Sequence, residues 1–260
     1  MRFFCILLFF IYSSFSAQNS EVSTINKVIT YTLKYLPDST VTNYHLEENF
    51  ILQINSKNES CFISENNLRA RQAFSSTPSF SMSLGGIPRT KFLYAIYNFE
   101  DTLHYYENVF FNKISYEENL KLDWRIIEEK KKIGDYWCYK ATTQYGGRDW
   151  EAWFSPDIPI FKGPYKFSGL PGLIVEIYDS RKHYNFALLN VSVVNTPEKL
   201  FDINAYKNYV KITRAEYFKI RKQALDNFAF QSQVVANPDE RRYLQQQVAR
   251  RNNNSLELME

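Results

Sequence analysis

The chain has 260 residues, with 31 basic against 28 acidic side chains, and 17 % of it is aromatic. So mild a positive balance argues against bulk nucleic-acid binding as the main role. The three histidines, His45, His104 and His183, stand at no ligand spacing from a cysteine or from one another, so no metal site and no cofactor are expected.

Met1-Arg2 makes a short positive start, residues 3–12 are uniformly apolar, and residues 13–17 are small and polar apart from Phe15. This pattern predicts a secretory signal peptide over residues 1–17, cleaved near Ser16 or Ala17 and too short to span a bilayer. Cys5 lies inside the apolar run, too early for a lipidated cysteine. No later run is apolar enough to cross a membrane, so the mature chain is expected outside the cytoplasm, in the periplasm or secreted. Without a Ser/Gly linker or a repeat, residues 18–251 read as one domain, followed by a frayed tail over 252–260.

Strand-forming residues cluster at 25–35, 50–54, 61–63, 91–98, 104–111 and 124–132, then at 136–145, 148–154, 173–179 and 183–194. Gly146-Gly147 is a two-residue hairpin signal, and a second hairpin bends at Ser180-Arg181-Lys182. Residues 64–74 look helical, and 75–89, rich in Ser, Pro and Gly, read as a mobile loop over the sheet. Thr213 with Glu216 forms a capping box ahead of an apolar stripe of Tyr217, Ile220, Ala224 and Phe228, reinforced by Leu225. Pro238 opens a second helix over 239–250, with Tyr243 and Val248 as its few apolar points. The basic residues of this region (Lys219, Arg221, Lys222, Arg241, Arg242, Arg250 and Arg251) read as a solvated face. The expected fold class is α+β: a curved, half-barrel-like antiparallel meander of about eight to ten strands with C-terminal helices at one side.

Cys61 and Cys138 remain after cleavage. In an oxidising compartment they are a disulfide candidate worth ~4 kcal/mol on the chain-entropy model; the alternative is two buried thiols on different strands.

The densest concentration of backbone-specific residues is Gly163-Pro164-Tyr165-Lys166-Phe167-Ser168-Gly169-Leu170-Pro171-Gly172-Leu173-Ile174. Its Leu170-Pro171-Gly172-Leu173 step fits a type II turn, with Pro second and Gly third. Gly-Leu-Pro-Gly-Leu-Ile is the name-giving hexapeptide of the GLPGLI family, exported bacterial proteins without an agreed activity, and the chain resembles that family. The resemblance runs through Gly134-Asp135-Tyr136-Trp137-Cys138-Tyr139-Lys140-Ala141, Gly147-Arg148, Ala152-Trp153-Phe154 and Ile158-Pro159, and closes at Glu176-Ile177-Tyr178-Asp179. It implies export and the family's fold, and supplies no catalytic residue. Separately, Ala152-Trp153-Phe154-Ser155-Pro156-Asp157 is similar in flavour to the W-F-x-P-x element of bacterial lipoprotein carriers.

No nucleophile elbow, P-loop, zinc-protease helix or C-x-x-C is present. Asp149 and Glu151 share one strand face, with Asp157 just beyond, and read first as the solvated side of a half-buried strand. Glu176 interrupts an apolar strand, and Arg148 is the partner expected for it. The motif and candidate binding residues are Arg148, Trp153, Pro159, Gly163, Pro164, Gly169, Leu170, Pro171, Gly172 and Glu176. The leading functional expectation is a non-enzymatic envelope protein that binds an apolar ligand or an outer-membrane or envelope partner. A hydrolase using Glu151, Asp157 or Glu176, or a structural subunit of an outer-membrane assembly, stands as the alternative.

Overall fold

The computed structural model describes residues 25–76, 88–109, 112–194 and 206–231 and, with gaps, 237–258. The expected signal peptide and most of the expected 75–89 loop lie outside the described residues, as does part of the expected helix 239–250.

Twelve strands run in chain order: β1 (Ile25–Tyr35), β2 (Leu46–Asn55), β3 (Ser60–Ser64), β4 (Tyr94–Phe99), β5 (Thr102–Val109), β6 (Asn112–Glu118), β7 (Arg125–Ile133), β8 (Tyr136–Tyr145), β9 (Arg148–Ser155), β10 (Leu173–Asp179), β11 (Tyr184–Val193) and β12 (Val210–Lys211). Helix α1 (Glu65–Ser76) follows β3, and α2 (Arg214–Gln231) follows β12. All the strands join one sheet in the order β12-β6-β5-β4-β3-β2-β1-β11-β10-β9-β8-β7. Two meanders, β1 to β6 and β7 to β11, therefore meet where β1 pairs antiparallel with β11.

The α+β expectation is overturned. The sheet is larger than expected, and it is mixed, because β12 pairs parallel with β6. It dominates the fold, and the helices form no layer of their own: α2 packs mainly against β5 and β6. Two strands were missed. β6 carries Ile114 and Tyr116 at strand alternation but begins with Asn112-Lys113, and β12 is a two-residue rider on its edge.

The sheet is strongly curled, and the chain itself requires it. β6 and β7 stand ten positions apart in the order, ~48 Å if flat, yet residues 119–124 alone connect them, a reach of ~25 Å at most. A single ammonium, that of Lys166, confirms the closure: it touches Glu118 of β6 at 2.9 Å and Tyr145 of β8 at 2.8 Å. Alternate residues point inward, as β5 shows with Leu103, Tyr105, Glu107 and Val109. The inner face holds the main core, including Tyr31, Phe50, Phe62, Tyr94, Trp150 and Phe186. Two small outer clusters sit around Cys61 and Cys138.

Candidate functional site

The Gly/Pro segment folds into the curl. Lys162 and Ser168 form a short bridge, Phe167 donates its amide to Pro164, and Ile174 donates to Lys162. Tyr165 and Phe167 are buried in the core, and Leu170 is 1 % exposed, so the hairpin is pinned by packing. Pro159, Gly169 and Pro171 stay on the surface. Gly163 and Pro164 are buried, and a Cβ on Gly163 would fall 2.6 Å from the Ile174 side chain.

The type II turn is not what forms. Leu173 donates to Ile158 rather than to Leu170, while Gly172 donates to Leu170 at 2.8 Å, closing a three-residue turn centred on Pro171. Gly172 sits at φ +153°, and a Cβ there would lie 2.2 Å from the Ser155 carbonyl oxygen. Glycine is demanded by a close approach of two backbones more than by the turn.

Tyr165 and Lys166, neighbours on this hairpin, build the centre of the site. Lys166 is fully buried and reaches Tyr116, Tyr145, Glu118 and Glu257 at 2.8–2.9 Å. The rings of Tyr105, Tyr116, Tyr145 and Tyr165 surround its ammonium at 5.0–5.5 Å. Glu257 also accepts from Tyr165, from Tyr145 at 3.0 Å and from Arg214 at 2.5 Å. Burial alone would raise the Glu257 pKa, but Lys166, Tyr165 and Arg214 outweigh it and hold the carboxyl down at about 2.

A carboxyl with a depressed folded pKa contributes stability that is present above its ordinary value and is lost as pH falls through the folded one. From the ordinary 4.5 to about 2, this one group contributes about 3 kcal/mol. The expected result is a wild-type stability excess over Glu257→Gln, measured by urea unfolding, that is constant above pH 5 and disappears between pH 4.5 and 2. A pH-independent gap would show that the charge carries none of it.

Beside this cluster lies a cavity of about 700 Å³, walled by Tyr35, Phe92, Tyr94, Tyr105, Tyr184, Tyr217 and Phe218. Its polar lining includes Glu107, which accepts from Tyr105 at 3.0 Å and from Tyr217, the cations Lys91, Arg221 and Arg250, and Asp38, Asn254 and Glu257. Lys91 is exposed as a residue, but desolvation of its ammonium, 4.2 Å from the Tyr35 ring, with repulsion from Arg221, draws its pKa down although Glu48 pulls the other way. Arg221, expected on a solvated face, lines this cavity instead.

One wall comes from residues 254–257, within the tail expected to fray. Arg148 decides this. Its guanidinium pairs with Asp179 at 2.8 Å, not with Glu176, and donates to the Asn254 side chain and to the carbonyls of Ser255 and Leu256 at 2.6–3.1 Å. Glu176 pairs with Lys131 at 3.0 Å, because it points to the outer face while Arg148 points in.

Trp153 lies on that outer face with Cys138 and Val175. Glu151 is there too, bonded to Tyr178 and paired with Lys140 at 3.0 Å, and Asp157 is exposed beyond β9. Glu151 and Glu176 are thus each matched by a lysine, outside the cavity. Cys61 and Cys138 are free and buried. They sit on β3 and β8, six strands apart and in separate clusters, which no disulfide spans.

Sequence reading singled out none of Lys166, Arg214, Glu107 and Glu257. A lysine between Tyr165 and Phe167 in a Gly/Pro loop was the one available signal.

Fold and site together define a curled-sheet protein with an aromatic, charge-lined cavity. A family model described as "Protein of unknown function (Porph_ging)" matches residues 145–176, which hold β9 and the whole Gly/Pro hairpin. No curated protein matches the chain. Crystal structures of PNGF-II in space groups C2 and P21 are similar, with TM-scores of 0.52 and 0.51, at 13 % identity over 77 % of this chain. The chain spans about a third of their length (33 % and 34 %), and the likeness concerns the fold alone. The LolA superfamily protein NE2245 from Nitrosomonas europaea matches at a TM-score of 0.31 and 8 % identity, over 70 % of this chain and 92 % of its own; at that score it carries no argument.

Proposed function

We propose that this protein is an exported, extracytoplasmic binding protein of the GLPGLI type that holds an apolar or amphipathic ligand in the cavity of its curled sheet. The observation that carries this is the cavity itself: about 700 Å³ of space walled by aromatic rings, the size and lining of small-molecule sites. Charged groups among the lining residues, Lys91, Arg221 and Glu107 with them, would orient an amphipathic guest. Support for export comes from the signal-peptide pattern of residues 1–17, and support for the family from the ordered motifs together with the match over 145–176. Among the described residues no helix is long and apolar enough to cross a membrane.

The test uses the apolar fluorophore N-phenylnaphthylamine with the full chain. Bound probe should brighten with a micromolar Kd. Val41→Trp, a substitution at a 37 %-exposed residue on the cavity wall, should weaken binding at least tenfold with unchanged circular dichroism. No brightening, or equal binding by the variant, would overturn the reading.

A further inference from the structure

Residues 253–258 are held the way a bound peptide is held. Their main chain and side chains are gripped by residues distant in sequence. Tyr184 donates to the Asn254 carbonyl at 2.6 Å, and Arg148 donates to the carbonyls of Ser255 and Leu256. Asn254 donates its amide to the Leu36 carbonyl, the backbone amide of Ser39 donates to the Asn253 side chain, and the Leu258 amide donates to Gly146. Leu256 is buried against the aromatic wall, and the Glu257 carboxylate enters the Lys166 cluster.

The cluster's charges say what belongs there. Lys166 and Arg214 face Glu118 and Glu257, so the balance is even only while Glu257 is in place. Without it, two buried or half-buried cations share one carboxylate, an arrangement that is costly in a dry interior. The remaining elements form a receptor: an arginine fork for consecutive carbonyls, an apolar wall, and a lysine with two tyrosine hydroxyls for a carboxylate. Recognition of successive peptide carbonyls points to a polypeptide and not to a lipid acid.

We propose that the curl contains a binding site for an extended peptide segment ending its contact in an apolar–acidic pair, and that residues 254–257 of this chain occupy it in cis. A partner segment of the same chemistry binds by displacing them. This rests on reading the cavity as a binding site, because Leu256 and Glu257 form one of its walls, and it assigns that site a second, peptide-recognising edge.

The experiment uses the full chain carrying Glu257→Lys, which sets a third cation beside Lys166 and Arg214 and ejects the segment. A fluorescein-labelled peptide with the sequence of residues 251–260 is the probe. It should bind this variant at least tenfold more tightly than wild type, by anisotropy, and raise its melting temperature. The same peptide with glutamine in place of its Glu257 should do neither, and adding Lys166→Met to the protein should abolish binding. If Glu257→Lys does not fold alone, Glu257→Gln is read in the same way. A variant that neither binds the native peptide more tightly nor gains stability from it overturns the proposal. N-phenylnaphthylamine is titrated into the same samples. Probe binding without peptide binding sinks this inference alone, whereas absence of both counts against the cavity reading as well.

Discussion

Gly172→Ala is expected to destabilise the protein by about 3–5 kcal/mol. The new Cβ would stand 2.2 Å from the Ser155 oxygen and 2.5 Å from its carbonyl carbon, both backbone atoms in the body of the sheet. No rotamer relieves that contact, so either β9 or the hairpin must move, and the hairpin carries Tyr165 and Lys166. At φ +153° the backbone is also strained for any L side chain. In a domain of this size the loss corresponds to a fall of roughly 6–20 °C in melting temperature. Gly169→Ala is the internal control. Its φ of +93° is equally unfavourable, but nothing lies within 4 Å of its Cβ, so about 1–2 kcal/mol is expected from conformation alone. Thermal unfolding of both variants separates the causes. Equal losses would mean that the close approach to Ser155 has no energetic weight.

Arg148→Met should cost about 3–5 kcal/mol, because it leaves Asp179, 1 % exposed, as an unpaired buried carboxylate. Asp179 keeps the Tyr184 amide at 2.7 Å but loses its guanidinium partner, and the Ser255 and Leu256 carbonyls lose their Arg148 donor. Two further variants identify the mechanism. Asp179→Asn in the Arg148→Met background should recover ~1–3 kcal/mol, a coupling expected only of direct partners. Arg148→Lys should recover less than half of the loss, since one ammonium cannot serve acceptors spread around a planar fork. Hydrogen exchange should show amides of residues 253–258 losing protection before those of β10 and β11. A loss under 1 kcal/mol, or strictly additive double variants, would remove Arg148 from this role.

Much of the local structure was legible because it depends on neighbours in the chain. Gly146 and Gly147 take φ of +58° and +71°, as their hairpin needs. Thr213 and Glu216 exchange their capping bonds at 2.8–3.2 Å. β8, β9 and β10 begin and end within a residue of their expected bounds, because strand-forming residues are dense there and turn residues bound them. β6 escaped notice because its opening Asn112-Lys113 dilutes the alternation of Ile114 and Tyr116. β12 has no signal of its own: two residues become a strand only because β6 offers a free edge.

The candidate site was less legible. Its Gly/Pro loop stood out, and Arg148 was singled out with the wrong partner: Glu176 and Asp179 lie three residues apart on one strand, and opposite faces decide between them. Nothing in a window around Glu257 reveals a buried carboxylate, since an Asn/Ser/Leu/Glu stretch reads as a tail. Its meaning comes from Lys166, 91 positions earlier, and Arg214, 43 positions earlier.

By itself, then, the sequence determined ten of the twelve strands, the two tight hairpins, the helix cap and the rigid loop, all set by backbone preferences and alternation over a few residues. The curl of the sheet, the partners of Arg148, and the gathering of Lys166, Arg214 and Glu257 at one point were decided only by the tertiary structure. Pairing β1 with β11, and joining β6 to β7 through six residues, closes the sheet on itself, and closure brings together charges that no local rule relates.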